Sequence, residues 1–399
     1  MKSKFYRKVL TNGMTILFEK RSNPVVSVAF AVRCGGENES SSEKGISHFI
    51  EHMLYKGTPK RSAKMISKQI EEKGGDLNGF TSEAITAFHC KIPSKHINIA
   101  LDVLSDMVKN SLFDEKEVEK EKQIIFEEIK LHQDNPIKYV FEGIQDVLYE
   151  KPFGVPLIGT YKTLGSLTRK KIVERFKQVY QPNNMILCVV GNANFDKIID
   201  FAKKNFGNTK GKIPKFKILK RNKSKIEKRR GIDQANLIFA HHVPTFKEKK
   251  NYAAFALNIL MAGGLSSRLF QEIREKRNLA YAIQGESNIG KEFAYNLIYV
   301  GAKKENVDLI KKLILDEFEK VSKELDEKEL SQIKGQIIGN HFISIEDSQN
   351  QMGNLLLYEI NSNAKELYEF EKKIRAVKLK DVKELAKIKK YSFFALLPQ

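Results

Sequence analysis

His48 and His52 stand four residues apart with Glu51 between them, and on a helix the positions i, i+3 and i+4 share one face. Two imidazoles and a carboxylate on one helical face are what a catalytic zinc site requires: two nitrogen ligands, and a base held just off the metal. The string His48-Phe-Ile-Glu51-His52 reads as the inverted motif H-x-x-E-H. A lone helix histidine would read as a residue satisfied by polar neighbours. With 8 histidines among 399 residues, the trio at this spacing is far more specific. Zinc in hydrolases usually keeps three protein ligands and one water, so a carboxylate is expected from another helix.

The elements that must position these groups can be read from the flanks. Ser40-Ser41-Ser42-Glu43 offers capping residues, and Ile46, Phe49, Ile50, Met53 and Leu54 recur at amphipathic spacing, which predicts a helix from Glu43 to Lys56 that stops near Gly57-Thr58-Pro59. Downstream, Asp114-Glu115-Lys116-Glu117 resembles a capping box opening a long helix that reaches about His132. Its apolar stripe is Val118, Ile124, Ile125, Ile129 and Leu131, and Glu121 and Glu128 lie beside that stripe, two turns apart. A carboxylate turned inward needs a cation or a hydrogen-bond donor. The pattern therefore reaches Glu121 or Glu128 as third ligand without separating them, with Glu127 a weaker third.

On these residues the chain resembles the inverted-motif zinc metallopeptidase family of pitrilysin, insulin-degrading enzyme and the mitochondrial processing peptidases, and in particular members about as long as this chain of 399 residues, which form half of a chamber. In that family the third ligand follows the second histidine by 76 residues, which from His52 falls on Glu128. A glutamate seven residues earlier supports the site without binding metal, and Glu121 matches it. The string Glu121-Lys-Gln-Ile-Ile-Phe-Glu-Glu128 is similar to the family pattern around the ligand. Gly74-Gly75-Asp76-Leu77-Asn78-Gly79-Phe80-Thr81, then Thr86-Ala87-Phe88, is similar to its substrate-binding strand, which implies that Asn78, Phe80 and Thr81 engage the substrate backbone. Ser266-Ser267-Arg268-Leu269-Phe270, Ile273-Arg274-Glu275-Lys276 and Leu279-Ala280-Tyr281 are similar to the second-domain signature.

The resemblance implies one Zn2+ per chain on His48, His52 and Glu128, with Glu51 as general base. It implies that Arg274 binds a substrate carbonyl and that Tyr281 donates to the developing oxyanion. Substrates would be oligopeptides or unfolded segments admitted to a closed two-half chamber. Because one chain carries both the zinc set and the Arg274/Tyr281 pair, a homodimer is expected, each pair reaching the zinc of the other protomer. The alternative is a non-catalytic or partner-dependent subunit of a heteromeric processing peptidase, against which the intact His48, Glu51, His52 and Glu128 weigh.

The length allows two domains. The fold class expected is α+β, with two homologous domains, each a mainly antiparallel sheet packed with helices on one side. Residues 1–210 would be the catalytic domain, 211–230 a basic linker, and 231–399 a homologous domain without metal. Asn12-Gly13 between Val9-Leu10 and Thr15-Ile16-Leu17-Phe18 reads as a hairpin, Val25 to Cys34 and Met185 to Val190 as strands, and Lys197 to Asn205 as a helix. The string Asp114-Glu-Lys-Glu-Val-Glu-Lys-Glu-Lys-Gln-Ile-Ile is echoed by Asp326-Glu-Lys-Glu-Leu-Ser-Gln-Ile-Lys-Gly-Gln-Ile-Ile, and in the ungapped register Glu121 corresponds to Ile333 and Glu128 to Asn340. The second copy has lost the metal residues.

Three cysteines, Cys34, Cys90 and Cys188, argue against a disulfide framework and for a reducing compartment. No run approaches about 18 consecutive apolar residues, and the N-terminus lacks an apolar core of useful length, so a cytoplasmic protein without membrane association is expected. The net charge of +20 would suit a polyanion binder, but the lysines are spread over glutamate-rich helices and no nucleic-acid motif accompanies them. Nucleic acid is therefore not expected as a partner.

Overall fold

The computed structural model describes residues 4–399. The N-terminal half runs β1 (Lys4–Val9), β2 (Thr15–Lys20), β3 (Val25–Val32), α1 (Ile46–Leu54), α2 (Ala63–Glu71), β4 (Asp76–Thr81), β5 (Thr86–Pro93), α3 (Ile97–Asn110), α4 (Glu115–Asp134), α5 (Pro136–Leu148), α6 (Tyr161–Gly165), α7 (Arg169–Val179), β6 (Met185–Gly191) and α8 (Phe195–Asn205). The C-terminal half runs β7 (Ser224–Arg229), β8 (Ala235–His242), α9 (Asn251–Ala262), a π-helical segment Phe270–Glu275, β9 (Ala280–Ile289), β10 (Ala294–Ala302), α10 (Val307–Glu324), α11 (Glu327–Ser344), α12 (Ser348–Asn361), α13 (Phe370–Arg375), α14 (Leu379–Leu385) and β11 (Ser392–Pro398).

The strands form two sheets, six strands in the order β1-β2-β6-β3-β5-β4 and five in the order β7-β11-β8-β10-β9. Without β1 the two orders coincide, β2 matching β7, β6 matching β11, β3 matching β8, β5 matching β10 and β4 matching β9. The parallel pair falls at the same place in each, β2 with β6 and β7 with β11, and the other pairings are antiparallel. The repeat visible in the α4 and α11 sequences is thus a repeat of topology, in an α+β fold.

Two compact units result, and neither is continuous in the chain. The first comprises residues up to Ile129, Leu157–Lys217 and Ser344–Leu367; the second comprises Lys130–Pro156, Ile218–Ile343 and Tyr368–Gln399. Helix α12, from the C-terminal half, therefore belongs to the first unit, and α5, from the N-terminal half, to the second. Within the stretch expected as a linker, Ser224–Arg229 forms β7, an edge strand paired in parallel with β11.

In the first unit, alternate residues of β3 (Val26, Val28, Phe30, Val32) and β5 (Phe88, Cys90, Ile92) meet Ile46, Phe49, Ile50, Met53 and Leu54 of α1 in one core. The opposite face of this sheet carries α12, which buries Met352, Leu355 and Leu356 together with polar groups that bond to the sheet. Ser27 Oγ lies 2.8 Å from Ser348 Oγ, Gln351 donates to Glu19 at 2.5 Å, and the buried Glu359 accepts from Arg7 at 2.8 and 2.9 Å and from Arg33 at 2.9 Å. In the second unit, α5 places Val140, Ile144, Val147 and Leu148 against Ile238, Ala240, Phe394 and Leu396. Gly143 permits that approach, since a Cβ there would stand 2.0 Å from the Phe394 ring.

Burial alone would push the Glu359 carboxyl up; hydrogen bonds from Arg7, the Ala364 N–H and Arg33 outweigh it and hold the pKa below the ordinary 4.5. A group depressed on folding contributes stability that is complete above 4.5 and disappears as pH falls through the lowered value. Glu359→Gln is expected to cost about 1–3 kcal/mol at pH 7 and to flatten the acid limb of stability, which urea unfolding at pH 7 and pH 4 measures. An unchanged acid limb would show that this pairing does not hold α12.

Candidate metal centre

Helix α1 spans Ile46–Leu54 and is shorter than the Glu43 to Lys56 stretch expected. Gly45 and Gly57 have φ of 97° and 122°, so the backbone turns at both ends. The cap is not supplied by the serines. Buried Glu39 reaches from outside the helix and accepts from the N–H groups of Gly45 at 2.9 Å and Ser47 at 2.7 Å, while Ser40 is engaged with Glu43. A carboxylate on the first-turn N–H groups satisfies donors that would otherwise be orphaned and favours the helix dipole.

His48 and His52 project from α1 with their Nε2 atoms 3.2 Å apart. Glu128 Oε2, from α4, lies 3.9 Å from His48 Nε2 and 3.6 Å from His52 Nε2. Donors around a tetrahedral ion at about 2.0–2.1 Å stand roughly 3.3–3.4 Å from one another, so this set fits a zinc ion with small adjustments. The buried face of α4 comprises Val118, Glu121, Lys122, Ile125 and Ile129, whereas Ile124 and Leu131 of the expected stripe are exposed. Glu127 is exposed and outside the cluster.

The geometry separates the two carboxylates that the sequence pattern left open. Glu121 accepts from His52 Nδ1 at 2.8 Å and pairs with Lys56 Nζ at 2.5 Å, so both its oxygens are engaged behind the histidine. Burial opposes its ionisation, but the hydrogen bonds from His52 and Lys56 prevail and hold its pKa low. A neutral His52 that donates through Nδ1 presents a lone pair on Nε2, toward His48 and Glu128. Among the described residues, His48, His52 and Glu128 are the one group of His, Cys, Asp and Glu whose ligand atoms converge as a metal set.

Glu51 stands outside that set. Its Oε2 accepts from the Thr81 hydroxyl at 2.6 Å. Burial raises its pKa, Thr81 and His52 pull it down, and the charge of Glu128 pushes it up, with a net rise. Thr81 lies on β4, the edge strand of its sheet. The strand alternates, so Leu77, Gly79 and Thr81 face α1, while Asn78 and Phe80 take the opposite face, where Asn78 pairs in register with His89 and the Phe80 and His89 rings lie 6.1 Å apart. Asn78 Oδ1 accepts from the Gly79 N–H at 2.8 Å.

Arg274 and Tyr281 lie together in the second unit. Arg274, on the π-helical segment, donates to the Tyr281 carbonyl at 2.9 Å and stacks over Phe270 at 4.8 Å. Tyr281 is the second residue of edge strand β9, is 43% exposed, and places its hydroxyl 3.4 Å from that of Tyr299, which donates to Asn236. Sequence reasoning missed Lys56 and Glu39. Lys56 could have been found four residues after His52, on the same helical face; Glu39, acting from outside the helix, leaves no periodic signal.

The class that this arrangement defines is matched by comparison with known proteins. Residues 15–161 match the family model described as insulinase (peptidase family M16), and residues 166–337 match the model described as the peptidase M16 inactive domain. An uncharacterized zinc protease of Rickettsia felis is 33% identical over 85% of this chain and 84% of its own, and the uncharacterized zinc protease YmxG of Bacillus subtilis is 32% identical over 96% and 94%. The chain therefore belongs to peptidase family M16, a family of zinc proteases. The fold is shared with the crystal structure of a protease from Helicobacter pylori, at a TM-score of 0.93 and 24% identity over 99% of this chain and 100% of that one.

Proposed function

We propose that this protein is a zinc-dependent metalloendopeptidase that hydrolyses oligopeptides or unfolded polypeptide segments, with Glu51 as general base. The observation that carries this reading is the convergence of His48, His52 and Glu128 beside Glu51, a half-buried glutamate that is not part of the ligand set. One zinc per chain, when bound, would supply Lewis-acid polarisation of the scissile carbonyl and an acidified water.

The chain's own residues do the rest. Thr81 holds one Glu51 oxygen, which leaves the carboxylate oriented to take the water proton and return it to the leaving amine. Burial raises the Glu51 pKa above the ordinary carboxylate value, a shift in the direction that favours holding a proton in transit. Glu121 and Lys56 fix the His52 ring. The free edge of β4 can take the substrate backbone as an added strand, with Asn78, Phe80 and Thr81 beside it, a mode that tolerates many side chains.

Tyr281 donates to the oxyanion and Arg274 binds a substrate carbonyl, each pair serving the partner's site in a homodimeric chamber. Tyr281→Phe is then expected to lower kcat about 100-fold or more with little change in KM, as measured by steady-state cleavage of a fluorogenic peptide. An unchanged kcat would remove Tyr281 from the reaction. The buried free cysteines Cys34, Cys90 and Cys188 agree with a cytoplasmic setting, and among the described residues no helix is long and apolar enough to cross a membrane.

The reading is tested by incubating the purified protein with an unfolded protein and with the same protein folded, and mapping cleavage by mass spectrometry. Internal cuts in the unfolded form alone support it. Zinc bound without cleavage of either would favour the partner-dependent subunit.

A further inference from the structure

Away from the metal ligands, the first unit contains a cavity of about 440 Å³, within the size range of small-molecule sites. Its floor is aromatic and buried, formed by Phe113, Phe176, Tyr180 and Phe206, and its wall includes Val173. Three cations line it, Lys109, Arg169 and Lys177, and no acidic residue does. None of the three is in an ion pair among the described residues. Arg169 donates to the carbonyls of Phe113 and Leu112, and Lys109 donates to the Asn205 carbonyl at 2.8 Å and lies over the Phe206 ring at 5.1 Å.

From this geometry we infer that the cavity is a binding site for a small organic carboxylate with an apolar body, the body lying on the aromatic floor and the carboxylate among Lys109, Arg169 and Lys177. An uncharged apolar guest would leave three cations without a counter-charge, and a bare phosphate would leave the aromatic floor wet. Burial and the neighbouring Lys60 lower the Lys109 pKa, and although Asp102 and Asp106 act the other way, both are bound to Arg61. An arriving anion relieves that strain on Lys109.

Two further features mark the cavity as more than a packing gap. Phe113 has φ of 50°, an unusual conformation for a bulky residue, and Arg169 holds it. The segment that lines the cavity is also tied to the metal helix: Ser111 Oγ donates to the carbonyl of Met53, next to His52, at 3.2 Å, and Leu112 N–H donates to Gly57 at 3.1 Å. Tyr180 presents its ring to the cavity, while its buried hydroxyl has no hydrogen-bond partner among the described residues and feels the charge of Glu51. The cavity is thus tied to the metal helix through the Ser111-Leu112 segment.

Calorimetric titration of the full-length protein with decanoate and decanol, and with a leucine-terminated tripeptide and its C-terminal amide, tests the site without reference to cleavage. Saturable binding is expected for at least one carboxylate, about tenfold tighter than for its uncharged counterpart, and the tighter carboxylate names the source, free acid or peptide end. Lys177→Glu, at an exposed position, should weaken carboxylates about tenfold and leave the uncharged ligands unchanged. Val173→Phe should remove binding by filling the wall, with thermal unfolding checking that both variants fold. Absence of carboxylate binding, equal binding of the uncharged forms, or binding that survives both substitutions would overturn the assignment.

Discussion

Glu51→Gln is expected to retain one zinc per chain and to lose cleavage by a factor of about 10²–10⁴ in kcat. Glutamine fills the same space and can still accept from Thr81, which donates to Glu51 at 2.6 Å in the native site, but it cannot take a proton. Because Glu51 lies outside the converging set of His48, His52 and Glu128, metal content should not follow activity. Steady-state kinetics with elemental analysis of the same samples separates the two. Loss of zinc with Glu51→Gln would make Glu51 a ligand, and full activity would remove it from proton transfer.

Glu121 and Glu128 of α4 should differ sharply. Glu128→Gln removes the one charged ligand and is expected to weaken zinc binding by roughly a thousandfold or more. Glu121→Gln keeps an acceptor for His52 Nδ1 and gives up only the Lys56 pairing, so a loss of about 10–100-fold is expected, the usual cost of disturbing a residue that orients a ligand. Competition with a fluorescent chelator ranks the two. The reverse order would mean that Glu121, not Glu128, binds the metal.

Much of the site was legible because H-x-x-E-H packs its chemistry into five residues of one helix. The third ligand was harder to read, since a helical stripe drawn from apolar residues includes Ile124 and Leu131, which are exposed, and only packing shows that Glu121 and Lys122 lie on the buried face. The internal repeat was readable in α4 and α11 and proved to be topological, down to the position of the parallel strand pair. Two features lay beyond local pattern. The placement of α12 on the first sheet and α5 on the second rests on contacts between residues far apart in sequence, such as Arg7 with Glu359. Strand β7, Ser-Lys-Ile-Glu-Lys-Arg, reads as tether because an edge strand with mostly exposed residues carries no apolar alternation.

The central claim is that His48, His52 and Glu128 hold a zinc that peptide cleavage requires. The most direct measurement is to strip the protein with a chelator, then add zinc in small steps while following a quenched-fluorescent peptide library. Cleavage that is absent after stripping, rises linearly and saturates at one zinc per chain is the predicted result. Cleavage that persists in the stripped protein, or that never appears although one zinc binds tightly, would contradict it.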